Sequence, residues 1–172
     1  EHLGLSGCSI KMIEDEYDIL PTEEESGSIV NRAKSKVINT IQSIQELGLT
    51  VPNIILGIDD GIYVPKYRSW TTSMKNVVLK ILNDDHLNIG DNVVIHEAVC
   101  LSKYPFAELS TFRSRFSYIY SNKIEPKHLA SNNPLKNVLR YPDETFPISM
   151  TSKESIVTHE TSNSVKKLAL AI

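Results

Sequence analysis

Apolar residues recur along this chain with two different periods. Ile29, Ala33, Val37, Ile41 and Ile44 return every three or four residues. That spacing marks one face of an amphipathic helix and predicts it from about Glu23 to Leu47. Thr22 suits its N-cap, Glu25 suits reaching back to that cap, and Glu23-Glu24-Glu25 fall in its first turn. Gly48 stands where a helix ends. Asn53 to Ile58 is a short apolar run between Pro52 and the pair Asp59-Asp60, and it predicts a buried strand. Gly61 to Val64 predicts the next strand. Ser9 to Glu14, Asn92 to Leu101 and Phe112 to Tyr120 predict three more. Thr72 to Asn83 carries Met74, Val77, Val78, Ile81 and Leu82 at helical spacing. Glu125 to Ala130 suits a short helix, and Thr158 to Ile172 a closing one. Ser131 to Met150, rich in Asn, Pro and Asp, reads as irregular chain. Glu1 to Gly7 reads as the end of a helix with a glycine exit. Alternating strands and helices define an α/β protein with a mixed sheet.

Composition narrows the function more than the fold. The 172 residues suit one domain. With 18 Lys and Arg against 21 Asp and Glu, the net charge of −3 argues against a general nucleic-acid binder. The longest nearly apolar run, Val51 to Ile58, is far too short to span a membrane. No basic, hydrophobic leader opens the chain. Cys8 and Cys100 are too few for a disulfide framework or a zinc site, which suits reduced thiols and a cytoplasmic setting.

Three groups of residues carry candidate chemistry. Glu23-Glu24-Glu25 at a helix N-terminus offers hard oxygen ligands for a cation, or simply solvated acids matched to the helix dipole. Asp59-Asp60-Gly61 directly after a buried strand offers two carboxylates where α/β sheets bind ligands, or a turn. Asn31, Arg32, Lys34 and Lys36, with Lys66, Arg68, Arg113 and Arg115, offer clamps for phosphate oxygens, or solvated faces. The five histidines show no metal-ligand spacing. Ser114, Ser117 and Cys100 have no nearby His-acid arrangement, so no nucleophilic triad is read.

The run Glu23-Glu24-Glu25-Ser26-Gly27-Ser28-Ile29-Val30-Asn31-Arg32-Ala33 resembles the helix-opening pattern of the non-canonical purine NTP phosphatases, the inosine/xanthosine triphosphatase family. Gly57-Ile58-Asp59-Asp60-Gly61-Ile62 is similar to that family's Gly-Ile-Glu-x-Gly-Ile strand, with Asp59 in place of Glu. Val99 to Lys103, Ser114 to Tyr118 and Val165 to Ala171 resemble later segments in the same order. Lys66 to Asn88 reads as an insertion.

The resemblance implies a central mixed sheet flanked by helices in a two-lobed, inosine triphosphatase-like α/β fold with a cleft, and Mg²⁺- or Mn²⁺-dependent hydrolysis of ITP and XTP. Family members often form homodimers. Carried over by position, Glu24 would ligate the metal. Asp59 would hold the metal or activate water, with Asp60 beside it. Arg32 and Asn31 would lie near the phosphates, Arg32 there or bracing the acids. Ser114 and Phe116 would shape the base side, with Arg113 adjoining. Residues 1–172 then read as a single domain that lacks the family's opening strand and its Gly-Ser-x-Asn-Pro-x-Lys phosphate loop. Neither a nucleic acid nor a membrane is expected as a partner. The alternative reading is a catalytically inactive member of the same fold that binds nucleotide or a protein.

Overall fold

The computed structural model describes residues 11–17, 27–71, 76, 78–80, 87–106, 108–125, 127 and 134–160. The principal elements are α1 (Ile13–Tyr17), α2 (Ile29–Glu46), β1 (Ile54–Val64), β2 (Ser69–Thr71), β3 (Asn92–Lys103), β4 (Leu109–Tyr120), β5 (Leu139–Arg140) and α3 (Lys153–Glu160). The strands form one sheet in the order β2-β1-β3-β4-β5.

The sheet is antiparallel, which corrects the expected mixed one. Ile62, Tyr63 and Val64 lie opposite Thr71, Trp70 and Ser69, and Ile119 and Tyr120 lie opposite Arg140 and Leu139. The Tyr104 amide donates to the Asn53 carbonyl at 2.8 Å, so the end of β3 meets the start of β1. The Tyr104–Glu108 connection between β3 and β4 is too short for a parallel crossover.

The predicted long helix is present, but it starts later. Gly27 adopts φ +94°, Ser28 is extended, and the Ser28 hydroxyl accepts from the Asn31 amide at 3.2 Å. Ser28 is therefore the N-cap, not Thr22, and the first turn of α2 holds no acid. Thr22 and Glu23–Glu25 lie outside the described residues. At the other end Gly48 takes φ +67°. Its amide donates to the Gln45 carbonyl and the Leu49 amide donates to the Ile44 carbonyl, the paired bonds of a Schellman stop.

Several other expectations are corrected. Ser9 to Glu14 was expected as a strand, yet Ile13–Tyr17 is helical, with Glu16 bonded back to Met12. The alternation there was imperfect because Ile13 fell on the polar side. Asp59-Asp60-Gly61 is not a turn; β1 runs through it for 11 residues, so the two predicted strands are one. Ser131 to Met150, expected as irregular chain, holds short ordered elements in its described part, residues 134–150. It contains the 3₁₀ turns Pro134–Asn137 and Ile148–Met150 and the strand β5. In the segments expected as helices, Asn76 and residues 78–80 are helical, Lys127 lies in a 3₁₀ turn, and α3 starts before Thr158 and reaches Glu160; most of the rest of those segments lies outside the described residues.

The chain forms two compact units. The first holds the described residues up to Asp59 together with Glu97–Ser114; the second holds those of Asp60–His96 and of 115–160. In the first, Val30, Ala33 and Val37 of α2 pack on Ile55, Ala98 and Cys100. Gly57 makes this close approach possible. A Cβ there would collide with the Ala33 carbonyl oxygen and stand 2.9 Å from Val37 Cγ2. The opposite sheet face carries Val99 and Leu101 against Ile54, Leu56 and Phe112. In the second unit, Ile62, Val64, Val93, Tyr118 and Tyr120 pack with Leu135, Val138, Leu139, Tyr141 and Ile148. Arg140 organises the chain after β5, donating from Nη1 to the carbonyls of Tyr141, Pro142 and Glu144.

Candidate functional site

The first unit brings α2 across β1 at an ion cluster. Residues 55, 57 and 59 share one face of β1 because side chains alternate along a strand. Ile55 and Gly57 meet the apolar stripe of α2, and one step further along the same face is Asp59. The helix meets it with Arg32 and Lys36, which are four apart and therefore on one helical face. Arg32 Nε donates to Asp59 Oδ2 at 3.1 Å, and Nη2 donates to Oδ1 at 2.8 Å. This is a bidentate pair between a guanidinium with 2% of its side chain exposed and a carboxylate with 10% exposed. Lys36 Nζ stands 3.3 Å from Asp59 Oδ2 and donates to the Ile58 carbonyl at 2.9 Å. Two cations thus face one carboxylate.

The other predicted residues do not all join them. Asp60 follows Asp59 within one strand and points to the opposite face, where it is exposed. The two aspartates do not form a carboxylate pair. Asn31 is exposed on the first turn of α2, its amide engaged by the Ser28 cap. Arg113 and Arg115 share an exposed face of β4, as their spacing predicted. Ser114 is buried on the other face of that strand, and Phe116 packs half-buried against the core of the second unit. Glu24 lies outside the described residues, as does Cys8. Among the described residues no group of three or more His, Cys, Asp or Glu is placed to hold a metal ion.

Lys36 is the member of the cluster whose part was hardest to read. It stood among the basic residues, and its spacing of four from Arg32 was the available signal. Elsewhere in this unit, Cys100 is buried beneath α2, and burial pushes its thiol pKa up, against a hydrogen bond from Thr111 and the charge of Lys34. It is an inert core thiol rather than a nucleophile. Ser102 is also fully buried, and its hydroxyl has no hydrogen-bond partner among the described residues. In the second unit His96 is held below its usual pKa, first by burial and then by the Arg115 charge.

No helix among the described residues is long and apolar enough to cross a membrane. A scan against protein-family models finds none that matches this chain, and a search of curated proteins returns no match.

Proposed function

We propose that the chain acts on non-canonical purine nucleoside triphosphates, ITP and XTP, by metal-dependent hydrolysis in the cytoplasm, on an inosine triphosphatase-like fold. The observation that carries this reading is the Arg32–Asp59 pair. The Asn-Arg-Ala and Gly-Ile-Asp motifs are separated by 27 residues at these two positions, yet they meet through two hydrogen bonds. Motifs that resemble one family's site therefore also share one place in this molecule.

The donor set is of the right kind for Mg²⁺, which takes hard oxygen ligands and often only one or two carboxylates plus substrate phosphates. Asp59 Oδ1 accepts one bond from Arg32, which leaves it capacity for another partner. Glu24 and Asp59 would hold the metal, and the metal would neutralise charge developing on the phosphates. Arg32 has the separate task of fixing the Asp59 carboxylate on β1 and keeping its orientation.

Release of phosphate or pyrophosphate from ITP and XTP in Mg²⁺ tests the reading. Turnover that falls by about 100-fold or more in Asp59→Asn supports it. A folded chain that hydrolyses neither nucleotide overturns it. Two observations favour the second reading, a catalytically inactive nucleotide-binding or protein-interaction module: Asp59 is already met by two cations, and Asp60 faces away. That reading expects nucleotide binding without turnover.

A further inference from the structure

Among the described residues the ion cluster on α2 and β1 holds two cations, Arg32 and Lys36, and one carboxylate, Asp59. Arg32 already engages both oxygens of Asp59: a guanidinium fork on a carboxylate matches both charge and geometry. It is also inaccessible, with 2% of its side chain exposed. Lys36 is therefore a surplus cation. Its side chain is 33% exposed, so it reaches solvent beside a neutralised pair. Of its three N–H donors, one goes to the Ile58 carbonyl and one faces Asp59 Oδ2, which leaves one for a partner outside the cluster. A half-buried ammonium held by a backbone carbonyl is pre-oriented, so it gives up less side-chain entropy on binding than a free surface lysine does.

We infer that Lys36 is a phosphate handle that works without a divalent metal: its free N–H, beside the Arg32–Asp59 pair, takes a phosphate oxygen of the incoming nucleotide. This rests on the triphosphate reading above and deepens it. Metal and handle are then separate contributions, the first made through Asp59 and the second through Lys36. The charge balance also fixes the sign of a counter-test. Removing the negative charge at Asp59 harms a metal site but leaves the anion handle more positive.

The test is calorimetric titration of the full chain with inorganic triphosphate, in EDTA and in Mg²⁺. Binding in EDTA is expected, falling about tenfold or more in Lys36→Met because one charge-assisted hydrogen bond is lost, and recovering in Lys36→Arg. Circular dichroism confirms the fold of each variant, and Lys36 is exposed enough that its replacement is tolerated. Asp59→Asn, where folded, is expected to bind in EDTA at least as well as the parent. Binding that appears only in Mg²⁺, or that is unchanged in Lys36→Met, overturns the handle while the triphosphate reading stands. No binding of triphosphate, ITP or XTP in either buffer overturns both.

Discussion

Arg32 is buried because Asp59 is there to receive it, and each residue is intelligible only through the other. A guanidinium with 2% of its side chain exposed carries a desolvation cost that only a matched partner offsets. Arg32→Ala leaves Asp59 in a half-closed site with Lys36 as its remaining cation, and is expected to lower stability by about 3–5 kcal/mol. Urea denaturation monitored by circular dichroism measures it, and a loss below 1 kcal/mol, on the order of a surface pair, would refute the buried-pair account. Arg32→Lys keeps the charge but loses the fork, so an intermediate loss is expected. His96 offers a test by pH. Its folded pKa lies below the usual 6.5, chiefly through burial. Folding therefore favours the neutral ring. Its contribution is fully present above the unfolded value and is lost as pH falls through the folded one. Stability should decline below about pH 6.5, where the unfolded imidazole begins to protonate. His96→Asn should flatten that part of the curve, and an unchanged slope would count against burial as the cause.

At the scale of elements, α2 is positioned by two devices with separate signatures. Its end is set by Gly48 at φ +67°, where an added Cβ meets nothing within 4 Å. Gly48→Ala therefore acts through backbone strain alone, at about 1–2 kcal/mol. Its seating on β1 is set by Gly57, where an added Cβ strikes the Ala33 carbonyl oxygen and crowds Val37. Gly57→Ala must push the helix off the strand, which overpacking costs at about 1–3 kcal/mol. The two variants are expected to separate at the site. Gly48→Ala should leave the Arg32–Asp59 pair unchanged, while Gly57→Ala should shift the Asp59 and Arg32 side-chain resonances. Equal spectral changes in both would refute this division of roles. The same two elements show what the sequence revealed. The stripe of α2 was legible because it repeats at regular spacing over about four turns, as were β3 and β4 as runs rich in β-branched and aromatic residues. The length of β1 was not. Asp-Asp-Gly is good turn chemistry, and what makes an aspartate acceptable inside a strand is a clamp 27 residues away in sequence. Asp60 was misjudged for the same reason, since a pair in a turn converges while a pair in a strand diverges. Residues 134–150 were illegible because 3₁₀ turns and a two-residue strand impose no period on their apolar residues.

For the whole molecule the informative fact is how the chain is shared between units. The first unit is built from residues up to Asp59 and then from Glu97–Ser114, and the second unit takes the residues between. Neither is a contiguous piece. The apolar face of α2 finds Ile55 on the neighbouring strand in sequence, but Ala98, Cys100 and Leu109 arrive only after the excursion through the second unit. The Arg32–Asp59 pair, by contrast, lies wholly within the earlier stretch. A fragment of residues 1–96 thus holds every described member of the ion cluster and lacks the floor on which α2 rests. Burial of a large aliphatic side chain contributes about 1.5–3 kcal/mol, whereas the Coulombic gain of a buried ion pair is largely offset by the cost of desolvating its two charges. The packing term is the larger, so it decides the outcome. The fragment is expected to show collapsed amide dispersion by NMR and no protected amides in α2 or β1. The 1–172 chain should show both dispersion and protection. A folded 1–96 fragment with Arg32 still paired to Asp59 would mean that the charge cluster, rather than the apolar floor, holds the helix to the strand.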